Sequence, residues 1–158
     1  MSLRDTARAM SQENVERLRE IVEAFRAGTS ESDREAMITK IAELYDPDME
    51  LDTSEGPVLD VSGVYRGAGA AKQFWREWLA AWETNQFEYE LVDAGDRIVQ
   101  LFDMRMRGRS TGIEMPFGKV AWVYTFRDGL IVHMKLYMSQ AEALEAVGLS
   151  EQDAHADS

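Results

Sequence analysis

The chain has no cysteine, only three prolines in 158 residues, and no apolar run approaching the roughly 18–20 residues that a membrane helix needs. The missing cysteines exclude disulfides, thiolate metal sites and cysteine nucleophiles, yet fit any compartment. Basic residues are also scarce. Seventeen Lys and Arg face 29 Asp and Glu, a net charge of −12, so a nucleic acid or an anionic membrane would be repelled and neither is an expected partner. The first ten residues, MSLRDTARAM, lack the basic start and the about 7–15 apolar residues of a secretory signal, which leads to an expected cytoplasmic location. Neither an internal repeat nor a low-complexity linker divides the chain. One domain with one substantial core is expected, over residues 11–149, with loose polar ends at 1–10 and 150–158.

What is present falls into two halves. In the first, apolar residues keep helical spacing. Val15, Leu18, Ile21, Val22 and Phe25 follow Ser11, a candidate cap, and Gly28 ends the run. Ser32 and Glu35 have the spacing of a capping box before Met37, Ile38, Ile41, Leu44 and Tyr45. A short strand, MELDT at 49–53, and an irregular loop precede a third helix at 67–82, whose Phe74, Trp75, Trp78, Leu79 and Trp82 share one broad face.

From Phe87 the period becomes two. FEYELVD, IVQLFDMRMR, KVAWVYTF and LIVHMKLYM read as four strands, and Ser139 with Glu142 opens a last short helix closed by Gly148. Helices followed by a meander of strands predict an α+β fold with helices on one face of a curved, mostly antiparallel sheet. Burial sets the register of the last hairpin, since a slip of one residue exchanges its faces. A three-residue Arg127-Asp128-Gly129 loop would pair Trp122 with Met134 and Tyr124 with Val132. Val120, Trp122, Tyr124, Phe126, Val132, Met134, Leu136 and Met138 then face inward, matched by Ile98, Gln100, Phe102, Met104 and Met106. Ala121, Val123, Thr125, Ile131, His133, Lys135 and Tyr137 face outward, on a mixed surface that another subunit would cover in part.

Four stretches, SQENVERLREIVEAFRAG at 11–28, YDPDMELD at 45–52, GVYRGAGAAKQFWREWLAAW at 63–82 and TFRDGLIVHMKLYMSQAEALEAVGL at 125–149, together resemble the SnoaL-like group of the nuclear transport factor 2-like superfamily. The resemblance implies a cone-shaped barrel: a strongly curved sheet around three helices of the N-terminal half, an apolar cavity at its open end, and a homodimer through the outer sheet face. It does not imply one activity. The positions that serve ketosteroid isomerases fall near Ile21, Thr53 and Trp122, and those of limonene-epoxide-hydrolase-like members near Phe102, Met104 and Leu136; none carries the acid that the chemistry needs. Asp103-Met104-Arg105 reverses the hydrolase order and points outward.

The expected function is therefore binding of a small apolar molecule, with no cofactor and no metal. The expected lining is drawn from Thr53, Phe74, Trp78, Phe102, Met104, Trp122, Tyr124, Met134 and Leu136, with Thr53 or Tyr124 supplying a directional hydrogen bond. Tyr45 and Tyr65 are further polar handles. The alternative is a lyase, isomerase or hydrolase that uses Asp52 or Glu114 with Tyr124 as a non-standard catalytic set. A second alternative is a dimeric interaction module with its cavity filled by side chains. His133 reads as an outer-face histidine, and Asp52, Glu55 and Asp60 as a solvated acidic loop without metal-ligand spacing.

Overall fold

A computed structural model describes residues 3–27, 30–55, 62–83 and 87–150; of residues 3–10, 104, 116 and 117 it describes the backbone alone. Helix α1 runs Leu3–Ala27. It passes straight through Ser11, the expected cap, because residues 3–10 contain neither glycine nor proline to stop it. Ser11 is instead buried, and its hydroxyl donates to Asp93 Oδ2 at 3.0 Å. Helix α2 spans Glu31–Ala42 and is capped by Ser30 rather than Ser32. Ser30 Oγ accepts from Asp33 N at 3.0 Å, while Asp33 Oδ2 accepts from Ser30 N at 3.2 Å. The earlier start places Glu31 and Asp33 in the first turn, where the helix dipole favours acids.

Strand β1, Tyr45–Asp52, begins four residues before the expected MELDT. It accommodates Pro47 through an irregular register between Tyr45, opposite Ile131, and Glu50, opposite His133. Then follow β2 (Val64–Arg66), α3 (Ala68–Ala81) and β3 (Trp82–Glu83). The meander is β4 (Phe87–Asp93), β5 (Arg97–Gly108), β6 (Glu114–Arg127) and β7 (Leu130–Tyr137), and α4 (Gln140–Ala146) closes the described chain. The sheet order is β2-β1-β7-β6-β5, and the far edge of β5 is shared by β3 and β4. Among the described strands only β1 and β7 run parallel. Among the described strands the two edges do not pair with each other, so the sheet is not closed into a barrel and has the open cone form that the resemblance implies. Among the described residues no helix is long and apolar enough to cross a membrane.

The last hairpin differs from expectation in register and agrees in facing except at Ile131, expected outside, and Val132, expected inside and only half-buried. Asp128 and Gly129 both have positive φ, +54° and +79°, and form a two-residue turn that pairs Arg127 with Leu130. Aspartate tolerates that conformation better than most residues, which makes the tighter turn accessible. Val132 then stands unpaired as a bulge, because Phe126 faces Ile131 and Thr125 faces His133. The extra residue resets the alternation, so Trp122 pairs with Leu136 and Tyr124 with Met134, and all four are buried in one core. Ile131, expected outside, is wholly buried on the inner side of the bulge.

Helices α1, α2 and α3 pack on the concave face over this core. On the convex face, Val99, Leu101, Ala121 and Val123 form a second cluster with Ala143, Leu144 and Val147 of α4. The chain's own last helix thus covers this part of the outer face. Gln140 pins that helix to the sheet, since its Nε2 donates to the carbonyls of Phe102 and Val120.

Candidate functional site

The interior is built from strand rungs roofed by α3. Successive inward positions place Ile98, Tyr124, Met134 and Leu51 side by side; next come Leu91, Gln100, Trp122 and Leu136, then Tyr89, Phe102 and Val120. Helical spacing brings Phe74, Trp75, Trp78 and Leu79 of α3 down onto them. The rings meet at their edges: Trp75 lies 5.9 Å from Trp122, Phe74 lies 5.0 Å from Trp75, and Phe102 lies 5.9 Å from Phe87. Such contacts add roughly 0.5–1.5 kcal/mol per pair beyond simple burial.

Two polar pairs interrupt this apolar interior. Trp75 Nε1 donates to the Tyr45 hydroxyl at 2.9 Å, and that hydroxyl donates to Met134 Sδ at 3.5 Å. The Tyr124 hydroxyl donates to Gln100 Oε1 at 2.6 Å. Burial raises both phenols well above their usual range; the Trp75 hydrogen bond opposes this in part at Tyr45, and Tyr45 adds to it at Tyr124. Both therefore stay protonated donors at neutral pH. Gln100 is 5% exposed, and among the described residues its NH2 group meets no acceptor. Turning the amide over would leave the Tyr124 proton without an acceptor as well, so the orientation with Oε1 toward the phenol is the better satisfied one.

Of the residues expected to line a pocket, Phe74, Trp78, Phe102, Trp122, Tyr124, Met134 and Leu136 are brought together in the one core. Thr53 is also buried, but its hydroxyl clasps the neighbouring loop, accepting from Gly63 N at 3.2 Å and donating to Gly63 O at 3.3 Å. The backbone of Met104 pairs with Phe87 and Gly118, and its side chain lies outside the described residues. Gln100 is not among the expected lining residues, although it is the single polar side chain in the inward series 98, 100, 102, 104, 106.

The proposed acids stand elsewhere. Asp52 sits beside Lys135 on the convex side of β1, and Ser54 donates to its Oδ1 through both N (2.9 Å) and Oγ (2.6 Å). Burial pushes its carboxyl up, but the Ser54 bonds and the charges of Lys135 and His133 more than offset this and leave it below the usual carboxylate range. Glu114 is exposed at the start of β6, opposite Arg107 and ten residues from Tyr124, or about 30 Å along the strand. Neither reaches Tyr124, because Asp52 has the outward parity and Glu114 the wrong end of the strand. His133 is outward as expected, between Glu50 and Thr125. Glu55 pairs with Lys135 at 3.6 Å, while Asp60 lies outside the described residues. Among the described residues no three His, Asp or Glu side chains converge to hold a metal.

An open groove of about 640 Å³ runs between the end of α1 and the start of β4, bounded by Glu23 and Arg26 on one side and by Phe87, Asp103 and Arg105 on the other. The Arg26 guanidinium lies over the Phe87 and Tyr89 rings at 5.8 and 5.5 Å, and Tyr89 donates to Glu23 at 2.6 Å. Phe87 also packs on Phe25 and Phe102, so it stands between groove and core.

This arrangement of helices on a curved sheet is found in solved structures. An NTF2-like protein of unknown function from Burkholderia pseudomallei K96243 is similar at 20% identity and a TM-score of 0.60, over 85% of this chain and 97% of that one. A second NTF2-like protein, from Burkholderia xenovorans LB400, is similar at 18% identity and a TM-score of 0.61, over 87% and 97%. TerC, co-crystallised with polyporic acid, is similar at 19% identity and a TM-score of 0.58, over 85% and 97%. At these identities the likeness is one of fold. No curated protein sequence matches the chain. The family model of the SnoaL-like domain does match, over residues 18–134, from within α1 to the middle of β7. The chain belongs to the SnoaL-like domain family, on the NTF2-like fold.

Proposed function

We propose that the protein binds a small, mostly apolar molecule between α3 and the sheet, against Trp75, Phe102, Trp122 and Tyr124. The observation that carries this reading is the Gln100 amide, 5% exposed with its NH2 group unmatched among the described residues. An unmet buried polar group costs about 1–3 kcal/mol, which an apolar side chain at the same position would avoid. A ligand that supplies the missing acceptor offsets that cost. The groove beside Phe87 is the entrance, because that ring faces both the groove and the core. Binding is favoured over acid–base catalysis, since among the described residues no carboxylate lies in the core. The homodimer implied by the family likeness would have to seat beside α4, on the strip around His133, Lys135 and Tyr137.

A thermal-shift screen of neutral two- and three-ring compounds tests the reading. A ligand at a hundred times its Kd stabilises by about 2.7 kcal/mol, raising Tm by roughly 5–10 °C in a chain of this size. The indole N–H signals of Trp75 and Trp122 should move with the same compounds. If no compound shifts Tm and both indole signals stay fixed, the interior is a closed core and the reading fails.

A further inference from the structure

The buried polar side chains of the described residues are Ser11, Asn14, Thr53 and Gln100. Ser11 and Thr53 have protein partners in Asp93 and Gly63. Asn14 is 8% exposed, and neither end of its amide has a hydrogen-bond partner among the described residues. It shares a helix face with Ser11 and Leu18, three residues before it and four after, and Leu18 is wholly buried in the core. Helix α1 runs along β4 with its numbering reversed: Ser11 reaches Asp93 near one end, and Arg26 covers Phe87 at the other. Three residues of helix advance about 4.5 Å, or between one and two residues of strand. Asn14 is therefore level with Leu91, whose direct strand partner is Gln100. Two buried amides with unmet groups thus stand at one level of the core, one on the helix and one on the sheet.

We propose that Asn14 and Gln100 together hold the polar end of the interior ligand, and that this end is an uncharged carbonyl oxygen. The inference rests on the binding reading above. Gln100 turns two N–H donors away from Tyr124, and Asn14 brings an NH2 group of its own. A carbonyl oxygen has two lone pairs and can accept from both. A carboxylate is rejected: among the described residues no cation is buried to balance it, and an isolated buried charge is far costlier than a buried carbonyl.

Three planar probes that differ only at one carbon test the assignment: fluorene, 9-fluorenone and fluorene-9-carboxylate. Calorimetry on the wild-type chain should show fluorenone binding about tenfold more tightly than fluorene, and no binding of the carboxylate. In Asn14→Leu and in Gln100→Leu the preference for fluorenone over fluorene, both measured on the same variant, should shrink to about two- to threefold. Side-chain amide signals of Asn14 and Gln100 in the wild type should move with fluorenone and not with fluorene, a readout that does not depend on the variants folding. Equal affinity for fluorene and fluorenone, or a preference that survives in both variants, overturns the Asn14–Gln100 assignment and leaves interior binding standing. If neither fluorene nor fluorenone binds, the interior-binding reading falls and the assignment falls with it.

Discussion

Tyr124 and Gln100 are useful only to each other or to a ligand, and this makes their energetics testable. Removing the Tyr124 hydroxyl leaves the whole Gln100 amide unmet, so Tyr124→Phe should lose about 1–3 kcal/mol in urea denaturation. In the Gln100→Leu background the same change should cost less, and a double-mutant cycle should return a coupling of about 1 kcal/mol or more. The phenols also set a pH dependence. Tyr45 and Tyr124 have folded pKa values above the ordinary 10.0 because burial opposes the phenolate. A group raised on folding stabilises fully below its unfolded value, and that contribution is lost as pH rises toward the folded one. Stability should therefore fall above pH 10, and absorbance at alkaline pH should show Tyr45 and Tyr124 ionising only as the chain unfolds. Tyr45→Phe and Tyr124→Phe should each make the loss of stability above pH 10 shallower than in the wild type. Early, independent ionisation of all five tyrosines would contradict the buried phenols.

At the scale of elements, two corrections to the expected boundaries can be separated by experiment. The cap of α2 is Ser30, so Ser30→Ala should cost about 1 kcal/mol while Ser32→Ala costs a few tenths. The hairpin is held by its bulge. Deleting Val132 leaves Phe126 opposite Ile131 and lets His133 follow outward in regular alternation, so this variant should keep the fold at a modest loss of stability. Deleting Met134 brings His133 opposite Tyr124 in the core instead. That variant should lose several kcal/mol or fail to fold, in line with the roughly 2–5 kcal/mol typical of a lost core side chain with an added unmet polar group. Equal tolerance of the two deletions, read by urea denaturation, would show that the observed register does not set the packing.

At the scale of the whole molecule, α4 is what separates an open sheet from a finished convex face. Leu144, almost wholly buried, anchors it over Val99 and Leu101. Leu144→Ala should cost about 2–5 kcal/mol, and Leu144→Asp should expose the outer cluster and drive concentration-dependent association in sedimentation. If Leu144→Asp stays as the wild type does in both stability and association, α4 does not cover that face in solution.

The alternation of apolar and polar residues over 87–107 and 119–138 determined the strands, their inward set apart from Ile131 and Val132, and the α+β class. Period-two burial is a local property that the order of residues records directly. Helical spacing likewise determined which side of α3 is buried, and Ser139, Glu142 and Gly148 marked the ends of α4. Only the tertiary structure decided the rest. Whether Asp128 turns alone with Gly129, or Arg127 joins them, depends on how β7 meets β1 and the core, so the bulge at Val132 is invisible locally. The partners of a buried amide come from distant strands and helices: Gln100 reads as one polar interruption in a strand, and Asn14 as a polar residue on an amphipathic helix. Their shared level in the core follows from α1 lying along β4, a long-range packing that no local period encodes.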